Sequence, residues 1–170
     1  MMDRFDGRVR RLGDDINTDY IISSARKKDT LDEQKLKAFL LESLDPSFAA
    51  SVRPRDVLVA GQNFGCGSAM EVAATVIIAA GIPVVVAKSF ARSFYRNAIN
   101  NGLVPVECDT DHFDEGDPIS ITFDAAGVAV TNPRTTWTQT RPALGGIAGA
   151  ILDAGGLVPY LRREGRFVLP

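Results

Sequence analysis

The sequence predicts an α/β fold, with a βαβαβ parallel-sheet core and an added β-hairpin, and three observations predict it. Short apolar runs at Asp56–Ala60, Val84–Ala87 and 103–106 are separated by stretches with helical apolar spacing. Gly81 and Gly102 stand where those helices should end, ahead of the next strand. Strands alternating with helices pair in parallel through right-handed crossovers. Beyond them, Ile119-Ser120-Ile121-Thr122-Phe123 alternates apolar and polar, Asp124 to Gly127 turns, and Val128-Ala129-Val130 returns, the pattern of a hairpin.

Taken in order, Arg8-Val9-Arg10 reads as a short edge strand. Residues 13–22 then concentrate Asp14, Asp15, Asn17 and Asp19 in a turn-rich patch. Acids in turns commonly cap and close them, and the same three could serve as a metal or acid/base cluster. Asp19, beside Ile21 and Ile22, is expected to be partly buried. Residues 23–32, with Arg26, Lys27 and Lys28 and few apolar anchors, read as a mobile surface loop before a short helix near 33–41. After the strand at Asp56–Ala60, a helix near 69–80 carries Val72, Ala73, Val76, Ile77 and Ala80 on one face. A second helix is expected near 90–100 with Ser89 as its N-cap. The hairpin should cap the α/β unit as a small β addition. A final helix near 144–154 ends at Gly155-Gly156, and a basic tail follows residues 157–161.

At 170 residues and 45% hydrophobic content, the chain is long enough for one domain with a substantial core. Its formal net charge of −2 and dispersed charges lack the basic footprint of a nucleic-acid binder. The N-terminus lacks the charged-then-apolar pattern of a leader. The apolar stretch at 72–87 is broken by Gly81 and Pro83, so no membrane partner and a cytoplasmic location are expected. Two cysteines, Cys66 and Cys108, and one histidine, His112, are too few for a zinc site or an iron–sulfur cluster held by this chain alone. No metal ligand is therefore expected here. Cys66, flanked by glycines, reads as a small apolar residue rather than half of a Cys–His pair.

The run Gly61-Gln62-Asn63-Phe64-Gly65-Cys66-Gly67-Ser68 places three glycines and a serine between a strand and a helix. Glycines admit positive φ and leave no Cβ in the way, so such a loop can turn a nest of amides toward an anion at a helix start. It lacks the Gly-Lys-Ser/Thr ending of a P-loop and the G-x-G-x-x-G spacing of a dinucleotide site. Ser68-Ala69-Met70-Glu71 also fits the capping box, which makes Ser68 a helix cap in one reading and a proton-abstracting alkoxide in the other. Arg92 and Arg96, four apart after a strand end, read either as partners of surface acids or as carboxylate ligands.

Four ordered motifs together resemble the small subunit of 3-isopropylmalate dehydratase and its homoaconitase relatives: Asp15-Ile16-Asn17-Thr18-Asp19, the glycine run to Ser68, Lys88-Ser89-Phe90-Ala91-Arg92, and Asn97 to Leu103. The resemblance extends to Ala154-Gly155-Gly156-Leu157-Val158 and so spans nearly the whole chain. It implies the swivelling β/β/α domain of the aconitase superfamily, docked on a large subunit that carries a [4Fe–4S] cluster. It implies an active site at that interface, where iron acts as a Lewis acid and a serine alkoxide removes the proton next to a carboxylate. Ser68 matches that serine and Asp19 the active-site aspartate, and the loop after Ile22 matches the one that reads the substrate's variable group.

Members of that family usually continue the glycine loop with Ser-Arg-Glu-His, whereas this chain reads Ala69-Met70-Glu71-Val72. A guanidinium grips a carboxylate through two parallel bonds, which a methionine cannot replace. The resemblance thus leaves Arg26, Lys27 and Lys28 as candidates to bind the carboxylate, with Gly65, Cys66, Gly67, Ala69, Met70 and Arg92 lining the substrate. A hydro-lyase acting on 2- or 3-isopropylmalate is the leading expectation. A homoaconitase or dimethylmaleate hydratase type, and a non-catalytic binding subunit, stand as alternatives.

Overall fold

The computed structural model describes residues 3–168. Its sheet has seven strands: β1 (Arg4–Arg11), β2 (Asp56–Ala60), β3 (Val84–Ala87), β4 (Val104–Glu107), β5 (Pro118–Asp124), β6 (Gly127–Asn132) and β7 (Trp137–Arg141). They lie in the order β4-β3-β2-β1-β5-β6-β7, parallel from β4 to β1 and antiparallel from β1 to β7. The helices are α1 (Thr18–Ile21), α2 (Ser24–Asp29), α3 (Glu33–Leu36), α4 (Phe48–Ser51), α5 (Glu71–Ala79), α6 (Arg92–Asn101), α7 (Gly146–Asp153) and α8 (Leu157–Glu164). Among the described residues no helix is long and apolar enough to cross a membrane.

The βαβαβ core and the hairpin stand as the apolar pattern predicts. The parallel strands read as unbroken apolar runs because both of their faces are covered. Leu58, Ala60, Val85 and Ala87 face one core with Ile21, Ile22, Leu36, Val76, Ile77 and Phe94. Val57, Val59, Val84 and Val86 face a second core with Val9, Ile121, Val130, Ile151, Leu152 and Tyr160. Both intervening helices end in paired backbone bonds, Gly81 N–H to Ile78 O and Ile82 N–H to Ile77 O, then Gly102 N–H to Ile99 O and Leu103 N–H to Ala98 O.

Several expectations are corrected. The Arg8–Arg10 strand is central rather than at an edge, because β1 pairs with β2 on one side and β5 on the other. The hairpin is therefore no separate cap: it gains a third strand, β7, and continues the same sheet. Residues 23–32 are not an irregular loop, since Ser23 accepts the Ala25 amide and starts α2. The helix near 33–41 is one turn of α3 followed by a tighter turn at Lys37–Phe39. Residues 157–161 belong to α8, whose Tyr160 reaches the second core.

A buried charge cluster sets the register of β1 on β2. Asp56, opposite Arg8 in the ladder, takes two bonds of 2.8 Å from the Arg8 guanidinium and one of 3.2 Å from Arg10, plus 3.0 Å from the Arg53 amide. Burial pushes the Asp56 carboxyl up, but those donors outweigh it and hold it ionised below its ordinary range. A second cluster ties the meander: Asp117 accepts from Arg134 at 2.6 and 2.9 Å, from Asn132 at 2.9 Å and from the Asp114 amide at 3.0 Å. Chiefly through the Arg134 bonds, Asp117 is lowered from 3.8 to about 2. A depressed carboxyl contributes stability above its unfolded pKa, and that contribution is lost as pH falls from 3.8 through about 2. Urea unfolding at a series of pH values should register this loss for the parent chain, and Asp117→Asn should be less stable at neutral pH with a flatter acid limb.

Candidate active site

Three loops meet at the C-terminal ends of β1, β2 and β3, where open parallel sheets gather ligands. The glycine run lies between the other two. On one side Gly61 N–H bonds Gly13 O at 3.0 Å, Gly65 N–H bonds Ile16 O at 2.8 Å, and Thr18 N–H bonds Cys66 O at 2.8 Å. On the other, Phe64 N–H bonds Ser89 O at 3.0 Å and Ala91 N–H bonds Phe64 O at 2.9 Å. Phe64 packs edge-on to Phe90 and Phe94, with ring centres 5.9 and 5.0 Å apart.

This clamp explains two glycines. Gly65 has φ +79°, and a Cβ there would lie 2.2 Å from the Phe94 ring. Gly67 has φ +91°, and a Cβ would lie 2.6 Å from the Asn17 amide group. Both positions join left-handed backbone to direct contact with a neighbouring side chain, so each excludes larger residues twice over.

The expected nest of amides occupies only half of the run. The amides of Gly61 to Gly65 are all spent inside the protein, Gln62 on Asp14 at 2.7 Å and Asn63 on the Ser89 hydroxyl at 2.8 Å. Among the described residues no acceptor takes the N–H of Gly67, Ser68, Ala69 or Met70. Asp14 and Asp15 are thereby structural: Asp14 holds Gln62, and Asp15 accepts from the Asn63 side chain at 2.8 Å. Ser89 is no N-cap, since α6 starts after Ala91 and Ser89 is occupied by the glycine run.

Ser68 is not a cap either. Helix α5 begins at Glu71 after Met70, whose extended backbone carries no side-chain cap bond, so the capping box does not form. Ser68 is exposed, and its carbonyl takes the Thr18 hydroxyl at 2.9 Å. That bond sets Ser68 beside the residue preceding Asp19. Asp19 is exposed rather than partly buried, because Ile21 and Ile22 turn inward while α1 turns Asp19 and Tyr20 outward. Its Oδ1 accepts the Ser24 hydroxyl at 2.5 Å and the Ser24 amide at 3.2 Å, which ties α1 to the start of α2.

The basic trio on α2 divides. Arg26 forms a two-bond pair with Glu42 at 2.8 and 3.0 Å and lies 3.9 Å over the Phe39 ring, so it is committed within the protein. Lys27 directs its ammonium at the Met70 sulfur, and Lys28 is exposed. Arg92 opens α6 next to the Ala91–Phe64 bond. Among the described residues neither Arg92 nor Arg96 forms an ion pair; both line a cleft of about 230 Å³ with Phe90, Tyr95 and Glu107. The Cys66 thiol is half-buried and pushed up by burial and by Asp15, and burial pushes Cys108 to about 12. Thiolates are what an iron–sulfur cluster needs. Among the described residues no three His, Cys, Asp or Glu side chains gather to hold a metal ion, so this chain's residues do not fit a cluster.

Residues 14–111 match the model of the aconitase C-terminal domain. The chain belongs to that family. It is 43% identical to the methanogen homoaconitase small subunit of Methanocaldococcus jannaschii, over 93% of this chain and 91% of that one. It is 45% identical to the 3-isopropylmalate dehydratase small subunit of Heliobacterium modesticaldum, over 93% and 95%. The fold matches the crystal structure of 3-isopropylmalate dehydratase from Methanocaldococcus jannaschii with a TM-score of 0.86 at 40% identity, covering 95% of both chains. The chain is thus an aconitase-family small subunit of the dehydratase type. Sequence reasoning missed the Lys27–Met70 contact and the spent amides of Gly61 to Gly65, because each depends on a partner far along the chain, from Asp14 to Gln62 or from Asn63 to Ser89.

The clamp gives a direct test. Gly65→Ala should drive a methyl into Phe94 on left-handed backbone and lower unfolding free energy by about 2–4 kcal/mol. Chemical denaturation followed by tyrosine and tryptophan fluorescence would measure it, with Gly145→Ala, where a Cβ meets nothing, as the control.

Proposed function

We propose that this chain is the small subunit of a two-chain hydro-lyase that dehydrates and rehydrates a small hydroxy-dicarboxylate, with 2-/3-isopropylmalate as substrate. The observation that carries this reading is an uncapped, exposed Ser68 among four unused amides, tied through Thr18 to Asp19. The names of its relatives supply the substrate class. A large subunit would bring the [4Fe–4S] cluster, whose chemistry is Lewis-acid activation of the departing hydroxyl.

This chain's residues would do the rest. Substrate enters with a carboxylate toward the amides of Gly67 to Met70, where unused N–H groups favour negative charge. Ser68 Oγ, as alkoxide, takes the proton from the carbon next to that carboxylate and returns it on hydration. Lys27 stands where the family arginine is missing; its ammonium, resting on a weakly accepting thioether, is free to turn to the substrate carboxylate. In this reading Met70 and Ala69 would line that end, Cys66 and Gly65 would lie beneath it, Lys28 and Arg92 would flank it, and Asp19, whose Oδ1 holds the start of α2, would offer its second oxygen to the substrate. Arg26 contributes by bracing α2 against Glu42. A second reading, a homoaconitase-type subunit, is favoured by the extra positive charge of Lys27 and Lys28, which would suit a further carboxylate. The location in either case is the cytoplasm.

Assaying the reconstituted complex against 2-isopropylmalate, homocitrate, citrate and dimethylmalate separates these readings, and turnover of none would leave a non-catalytic binding subunit. Ser68→Ala should lower kcat by about 10²–10⁴-fold with complex formation intact; near-normal turnover would remove Ser68 from the chemistry. Lys27→Met should raise KM about tenfold with kcat little changed, and Lys27→Arg should restore it.

A further inference from the structure

A cavity of about 470 Å³ among the described residues has no part in the proposed chemistry. It opens where both edges of the sheet face one space: β4 supplies Val106 and Glu107, the end of β7 supplies Arg141, and α7 closes it from the side. Its walls are mostly apolar, with Phe123, Val128 and Leu144 beside Val106. Such volume and lining suit a small organic molecule with an apolar body.

Two charged groups of opposite sign line this space without using each other. Among the described residues neither the Glu107 carboxylate nor the Arg141 guanidinium forms a hydrogen bond or an ion pair. Asp124, a second acid on the lining, is tied by its Oδ1 to the turn amides of Ala126 at 2.8 Å and Gly127 at 3.1 Å. Asp3 stands exposed at the mouth. A carboxylate and a guanidinium that line one largely apolar cavity, both exposed and neither paired, are complementary to a ligand that carries both charges and a hydrocarbon chain. We propose that this cavity is a second small-molecule site, for an α-amino acid with an aliphatic side chain, its carboxylate on Arg141 and its ammonium on Glu107.

The site is distinct from the glycine run yet adjoins it. Tyr95 and Glu107 also wall the smaller cleft that holds Arg92. The Tyr95 ring lies 5.8 Å from Phe90, and Phe90 packs on Phe64 of the glycine run.

Titration calorimetry of the full chain, alone and in its complex, with L-norleucine, L-norleucinamide and hexanoate tests the proposal. Norleucine should bind saturably with one site per chain. The amide, lacking the carboxylate, and hexanoate, lacking the ammonium, should each bind about tenfold more weakly or less. Arg141→Gln should erase the preference over the amide, and Glu107→Gln the preference over hexanoate, with unfolding temperatures of both variants unchanged. No saturable binding up to about 10 mM, equal binding of all three compounds, or indifference to both substitutions would overturn it. So would loss of binding on adding the large subunit, which would assign the face to subunit docking.

Discussion

The pairing of β1 on both of its edges is the constraint on which the rest depends. Its parallel ladder with β2 carries residues 12–19 alongside the glycine run, and its antiparallel ladder with β5 fastens the meander to the parallel half. The register is held by Asp56, which collects Arg8, Arg10 and the Arg53 amide in a setting where a lone carboxylate would be strongly disfavoured. A one-residue slip would turn Val9 away from the second core and separate those charges. Arg10 is fixed further by Ser51 and by the Phe48 ring 4.3 Å away, so the same cluster anchors the α3–α4 segment.

From that register the site follows by short steps. Once β1 and β2 are aligned, the turns that leave their C-terminal ends run side by side and exchange backbone bonds from Gly13 to Thr18. These bonds, with those to Asp14 and Ser89, consume the amides of Gly61 to Gly65, so unused N–H groups are left only toward the end of the run. The Phe64, Phe90 and Phe94 rings fill the space beneath and hold the third loop in place. This packed floor carries an exposed rim with Ser68 and Asp19, and the half-buried Lys27 lies against Met70. There the Lys27 ammonium meets the Met70 sulfur, so the proposed function has a single point charge to offer at that spot.

Much of this was legible beforehand where the cause is local. Apolar runs, helical spacing and glycine stops placed β2 to β4 and α5 and α6 within a few residues, because each depends on neighbours within one or two turns. The motif resemblance led to the right family, since loops built around Gly65 and Gly67 tolerate few alternatives. The capping reading of Ser68 failed although its spacing fitted. Thr18, 50 positions away, captures the Ser68 carbonyl and delays the helix to Glu71. Asp19 was misjudged for a related reason: proximity in sequence to Ile21 and Ile22 says nothing about which way a one-turn helix faces.

Residue order alone thus carried the α/β class, through short-range pattern and turn chemistry, and the family, through the resemblance of its four motifs, which also singles out Ser68 as the candidate. It did not carry the central position of β1, the membership of the meander in the same sheet, or the division of α2 into a braced Arg26 and an available Lys27. Those rest on contacts made across long stretches of chain, such as Arg8 with Asp56 and Lys27 with Met70, and such contacts exist only once the whole sheet has closed around its two cores.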